Sequence, residues 1–167
     1  PELNLQAGYG NYRTLELGGY AAGPIGEGVK AGLAVQYRHM GEGAGHNLTT
    51  GQDAYRLRYD FSARGKLVFD LGSRTTLKLA GDYYHKSDDF ASFKLTDDFG
   101  IAAPLTSNDV PKRAWNSFAG DNNFNELEAW GVSARFEHEF DGFQIMNLLA
   151  YRKTDLNYRT DADTRAA

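Results

Sequence analysis

Between Tyr55 and Asp70 the side chains alternate in character at every step, and no other stretch narrows the possible folds as much. The odd positions are Tyr55, Leu57, Tyr59, Phe61, Ala63, Gly65, Leu67 and Phe69. The even positions are Arg56, Arg58, Asp60, Ser62, Arg64, Lys66, Val68 and Asp70. A period of two sustained over this length belongs to an extended strand with two unlike faces and excludes an amphipathic helix. One face carries ionised groups and must meet water or counter-charges. The other has aromatics at its ends and aliphatic or small residues between. A tilted strand needs about 9–11 residues to cross a bilayer, so the stretch is long enough to do so.

The same period recurs along the chain. Strands are expected near 3–9, 13–22, 29–39, 55–70, 75–85, 128–140 and 143–154. Turn-forming residues separate them at Gly10-Asn11, Gly23–Gly28, Leu71–Arg74 and Asp141-Gly142. Two connections are longer: a Gly-rich one over 40–54 and one without sustained period over 86–127. Apart from the short hairpin at Gly10-Asn11, which falls on the long-loop side, short and long connections alternate, as they do in outer-membrane barrels. If the long connections share one side, Tyr9, Tyr37, Tyr55, Tyr83, Trp130 and Tyr151 come to one rim and Phe69, Phe140 and Phe143 to the other. Membrane interfaces favour such sorting, because the ring is apolar while the Tyr or Trp tip stays wet. The expected fold is all-β, an antiparallel up-and-down meander forming part of a large transmembrane β-barrel over 1–167. Leu57, Phe61, Leu67, Leu77, Leu79, Val132 and Phe136 are expected to face lipid. The face of the last strand is ambiguous, since Met146 and Leu148 fall out of phase with Phe143 and Tyr151.

Composition removes several classes. Aromatics at 13% argue against disorder. A net charge of -4 is too acidic for a general nucleic-acid binder. Without Cys there is no disulfide framework or thiolate chemistry. Pro1-Glu2-Leu3-Asn4 has neither an initiating Met nor a signal core, so the chain reads as a piece of a longer protein.

Several short stretches, in order, resemble TonB-dependent outer-membrane receptors. They are Gly8-Tyr9-Gly10-Asn11-Tyr12, Ala22-Gly23-Pro24-Ile25, Asn47-Leu48-Thr49-Thr50-Gly51, Arg64-Gly65-Lys66-Leu67, Gly81-Asp82-Tyr83-Tyr84-His85 and Leu149-Ala150-Tyr151-Arg152. The resemblance covers nearly everything outside 86–127. It implies about the first seven strands of a 22-stranded barrel in the outer membrane of a Gram-negative bacterium. The parent would enclose a plug domain and import a scarce nutrient, such as an iron-siderophore chelate, with energy from TonB. Its partners would be outer-membrane lipid, its own plug, the TonB complex through that plug, and the nutrient. The plug has no counterpart here.

Candidate binding residues follow from the strand faces. Arg38, Arg56 and Arg58, with Trp115 and Phe118 of the long connection, are candidates for ligand contact. Arg64, Lys66, Asp82, Arg135 and Glu137 are candidates for facing the plug. For Trp115 and Phe118 the alternative is packing of the loop on itself. Asp88-Asp89, Asp97-Asp98, Asn108-Asp109 and Asp121-Asn122-Asn123 lack calcium-loop spacing and read as loop solvation. His39, His46, His85 and His138 have no metal-binding spacing. Gly41-Glu42-Gly43-Ala44-Gly45 reads as a flexible loop, and Asn47-Leu48-Thr49 matches a glycosylation sequon. No nucleophile–base arrangement is readable, so neither catalysis nor a cofactor is expected. The competing function is a soluble all-β module that binds carbohydrate or another ligand.

Overall fold

The computed structural model describes residues 1–90, 111–121 and 123–161. It is all-β, with seven long strands in one antiparallel meander and no α-helix among the described residues. The long strands are β1 (Glu2–Gly10), β2 (Thr14–Gly26), β3 (Val29–Met40), β6 (Leu57–Asp70), β7 (Thr75–Asp88), β8 (Phe124–Phe140) and β9 (Phe143–Arg159). Two short strands, β4 (Gly45–His46) and β5 (Asp53–Ala54), form a separate ribbon between β3 and β6. The sheet order is β1-β2-β3-β6-β7-β8-β9, and the sheet is open, with β1 and β9 at its edges.

Three connections at one end are tight: Glu27-Gly28, 71–74 and Asp141-Gly142. Gly28, Gly72 and Gly142 all have positive φ, the backbone that glycine adopts without a Cβ clash. The opposite, looped end holds Asn11–Arg13, 41–56 and, among the described residues beyond the strands, 89–90, 111–121, 123 and 160–161. Several strands run further towards that end than the sequence pattern indicated, but β6 begins only at Leu57, so Tyr55, with a positive φ, and Arg56 lie outside the expected strand 55–70. β7 continues to Asp88, β8 begins at Phe124 and β9 reaches Arg159, so 89–123 replaces the expected connection 86–127. β2 runs past Pro24 to Gly26 because the register shifts between these two residues, a bulge where the missing proline N–H is tolerated.

Cross-strand register fixes the faces, since directly opposed residues point the same way. One row runs Gly23, Ala31, Leu67, Leu79, Ala134, Leu149, and the next runs Leu3, Ala21, Leu33, Gly65, Gly81, Val132, Tyr151. Phe69, Leu77 and Phe136 share a third row on that apolar face. The opposite face includes the row Asn4, Tyr20, Ala34, Arg64, Asp82, Gly131, Arg152 and the pair Lys78, Arg135.

Leu57 departs from its expected side. Between Leu57 and Tyr59 the register slips by one residue, so Leu57 lies opposite Asp88 on the charged side. One extra residue at Arg58 inverts the parity of everything before it. Leu57 is 1% exposed, buried beneath the looped end.

Burial is concentrated at that end. Ala54, Leu57, Ala119 and Ala129 are the buried hydrophobic residues among those described, and Asn47, Ser87, Asp88, Asp89, Ser117 and Asn123 are buried with them. Both broad faces of the sheet lie open: Leu5 is 74% and Leu149 67% exposed on the apolar side, and Leu148 is 60% exposed on the other. Among the described residues no second layer covers either face.

Candidate functional site

The charged face is organised by ion pairs that cross strands. Lys78 on β7 donates to Glu137 of β8 at 2.7 Å, and Arg135 pairs with the same carboxylate. Arg152 of β9 grips both oxygens of Asp82 at 2.8 and 2.7 Å. This pair spans the whole width of β8. It passes over Gly131, where a Cβ would sit 3.0 Å from the Arg152 Nη2. Lys30 meets Asp70 at 3.1 Å, and Arg38 lies 3.9 Å from Glu16 and 3.8 Å from Asp60. Arg64 and Lys66 have no acidic partner among the described residues.

Of the residues expected to face inward, Arg64, Lys66, Asp82, Arg135 and Glu137 do share one face. Arg152 was not among them. Its strand presents apolar residues to both sides, with Met146, Leu148 and Leu156 on the charged face and 58–60% exposed, so alternation gave no signal there.

The candidate ligand residues are not gathered in one place. Arg38 lines a depression of about 640 Å³ with Tyr12, Glu16, Met40, Leu57 and Phe90. Arg56 turns away, donating from Nε to the Met40 carbonyl at 3.0 Å and lying 3.8 Å from Asp53. Arg58 is exposed at the bulge, and its carbonyl meets His39 Nδ1. Trp115 is 57% exposed and sets its ring edge-on to Tyr55 at 5.7 Å. Phe118 is half-buried, and its carbonyl accepts from Thr49 Oγ1 at 2.8 Å.

Trp115 and Phe118 instead belong to a cap in which the connections of the looped end are joined. Leu48 N–H donates to the Ser117 carbonyl at 2.8 Å, and Ser117 N–H donates to His46 at 3.0 Å. Asn47 anchors this junction. Its Oδ1 accepts from the N–H groups of Thr49 at 3.0 Å and Thr50 at 3.3 Å, and its Nδ2 donates to the Asp121 carbonyl at 3.4 Å. The sequon asparagine is therefore 5% exposed and engaged on both sides of its amide. The first hairpin joins through Gly41 N–H to Arg13 O at 3.2 Å, and the end of β9 through Gly120 N–H to Asp161 Oδ2 at 2.6 Å. The glycines of 41–45 serve close packing: a Cβ at Gly43 would strike the Ala54 carbonyl, and one at Gly45 the Trp115 carbonyl.

Asp89 sits under this cap. It accepts the Arg56 N–H and returns its own N–H to Arg56 O at 3.1 Å. Burial pushes its carboxyl up to about 6, against the pull of the Arg56 N–H and of Arg58 and with the help of Asp88. Burial, with Asp89 nearby, also raises the Tyr55 hydroxyl. Asp97-Asp98, Asn108-Asp109 and Asn122 lie outside the described residues. No group of three His, Cys, Asp or Glu among the described residues could hold a metal ion. His39 and His46 reach the Arg58 carbonyl and Asp53, whereas His85 and His138 reach Glu126 and Thr75.

No family model, curated protein or solved structure matches the chain.

Proposed function

We propose that this chain is a section of the wall of an outer-membrane β-barrel, with its apolar face to lipid and its charged face to the lumen. The observation that carries this reading is the mainly apolar band, broken only by the hydrogen-bonded pair Thr75–His138 and by Asn147 among the rows between its borders, and its aromatic borders. On β8 and β9 the band begins at the Phe140–Phe143 stack, with centroids 4.6 Å apart, and ends at the Trp130–Tyr151 pair, 5.4 Å apart. Ten residue steps separate Phe140 from Trp130, about 34 Å along a strand. At the tilt of barrel strands that projects to about 25 Å, the height of an outer-membrane apolar band. Above the border the same face turns polar, where Tyr59 and His85 meet Glu126 and Tyr83 meets Glu128. A soluble sheet has no cause to leave both faces open over such a band.

The family reading rests on the ordered short stretches that resemble TonB-dependent receptors. It makes the parent an active importer of a scarce nutrient such as an iron-siderophore chelate, with its plug, TonB and outer-membrane lipid as partners. The cap then lies outside the cell.

Single-tryptophan versions of the parent, placed in vesicles with brominated acyl chains, test the membrane reading. Trp130 is expected to be quenched and Trp115 to be spared. Equal quenching, or none, overturns it. Uptake of ferric chelates at the normal rate after loss of the parent gene overturns the iron reading.

A further inference from the structure

On the charged face, Arg64 has an obvious partner that it does not use. Asp82 lies directly opposite it in the β6–β7 register, where cross-strand charges ordinarily pair. Both Asp82 oxygens are instead held by Arg152, two strands away, through the gap left by Gly131. Lys66, two residues along the same face, likewise has no acidic partner among the described residues. Two cations therefore stand about 7 Å apart on one strand.

The surface beside them is concave. Arg64 faces Tyr20 across Ala34, and Lys66 faces Ala22 across Gly32. The floor between the tyrosine and the two cations is thus built of small side chains, in a depression of about 550 Å³ that also reaches Lys30 and, at the β1 edge, Glu2, which lies in the row of Lys66 without pairing with it. Lys30 is already tied to Asp70. Tyr20 is 39% exposed and offers both a ring and a hydroxyl to whatever lies over Ala34.

We propose that this depression is a subsite for a small solute carrying two anionic oxygen groups, held by Arg64 and Lys66 and flanked by Tyr20. Arg152 is a positioning residue: by occupying Asp82 it keeps the Arg64 guanidinium available. The guanidinium suits a carboxylate or phosphate group in the two-pronged fashion, and the ammonium adds a point charge at the second group. The subsite rests on the barrel-wall reading, takes Arg64 and Lys66 as facing solute in the lumen rather than the plug, and gives the transported solute a dianionic part.

The test uses the purified parent in detergent micelles, titrated calorimetrically with succinate and with acetate. Succinate is expected to bind more tightly than acetate. Arg64→Gln should weaken succinate at least tenfold. Arg152→Gln should also weaken it severalfold, because Asp82 becomes free to pair with Arg64. Arg74→Gln, which removes an equal charge at the turn end, should leave binding unchanged. Equal affinity for the two acids, or the same loss in Arg74→Gln as in Arg64→Gln, overturns the subsite. So does absence of succinate binding by the wild type, the result if a carboxylate of the same protein already fills it. Heat-dependent gel migration checks the barrel separately in every variant: its absence in the wild type sinks the wall reading, whereas its presence without succinate binding sinks only the subsite.

Discussion

Gly45 and the Trp115 carbonyl approach so closely that a β-carbon on residue 45 would lie nearer to the oxygen than any non-bonded pair allows. This contact between two connections 70 residues apart holds the ribbon β4–β5 against residues 115–118 and lets Ser117 exchange hydrogen bonds with His46 and Leu48. Gly45→Ala is therefore expected to undock the two connections while leaving the seven-stranded sheet intact. Amide exchange at Leu48 and Ser117 should accelerate at least tenfold, with strand amides such as Leu79 unaffected. Unchanged protection at Leu48 would show that the cap is held elsewhere.

Gly131 plays the corresponding part within the sheet. A side chain there meets the Arg152 guanidinium, so Gly131→Leu should expel Arg152 from Asp82. An exposed ion pair of this kind contributes about 0–1 kcal/mol, and the stability loss should stay small. The informative readout is a double-mutant cycle. Coupling between residues 82 and 152 should vanish in the Gly131→Leu background, and its survival would contradict the crossing geometry.

Asp89 makes cap stability depend on pH. Its carboxyl titrates near 6 in the folded protein, above the ordinary value of about 3.9, so the folded state binds the proton more tightly. Below about pH 4 both states are protonated and the group contributes no pH dependence. As pH rises from there to about 6 the unfolded group ionises first, and stability falls; above 6 the loss stays constant. Amide exchange at Arg56, corrected for its intrinsic rate, should therefore show more protection at pH 5 than at pH 7. Asp89→Asn should remove the difference, and a slope of opposite sign would contradict this assignment.

The pattern of alternation made most of the faces legible, because register in a two-faced sheet leaves each side chain only two choices. Leu67, Leu79, Val132 and Phe136 fall where their parity indicated, and so do Arg64 and Arg135. Parity failed at Leu57, since nothing in a run of alternating residues marks where a bulge inserts one extra. It failed on β9 because Met146 and Leu148 are apolar on the charged side, and nothing among the described residues covers them. Beyond the packing alternative for Trp115 and Phe118 the cap was hardly legible: backbone groups make most of its contacts, and every sequence carries those. Its one signal was the glycine spacing of 41–45, which permits close packing as readily as it permits flexibility.

On the barrel-wall reading, neighbouring residues of β7 should respond very differently to substitution. Leu79 sits in the middle of the apolar band between Leu67 and Ala134, and an arginine there meets hydrocarbon. Leu79→Arg in the parent should cost about 2–4 kcal/mol. Lys78 faces the other way and bonds Glu137, so Lys78→Gln removes one exposed-face ion pair and should cost about 1 kcal/mol or less. Denaturant unfolding from lipid vesicles measures both. Equal losses would remove the distinction between a lipid side and a wet side.

The same reading predicts that residues 1–167 do not form a stable monomer by themselves. Glu2–Gly10 and Phe143–Arg159 are both open edges of the sheet, each with a row of unpaired backbone groups. Hydrocarbon offers these groups no partner, at several kcal/mol for each one left unsatisfied, so membrane sheets survive by closing. Direct closure of this sheet would put β1 beside β9, and in an up-and-down order of seven strands those two run parallel. In water the edges can hydrate, but the apolar face then lies bare, with Leu3, Leu5, Leu33, Val132 and Leu149 all more than half exposed. A surface of that kind with a long open edge beside it favours association. The chain expressed alone should therefore run as aggregate or large oligomer in solution sizing and unfold without a sharp transition in denaturant. A soluble monomer with one cooperative transition would mean that the sheet stands on its own in water, and the membrane assignment would fall.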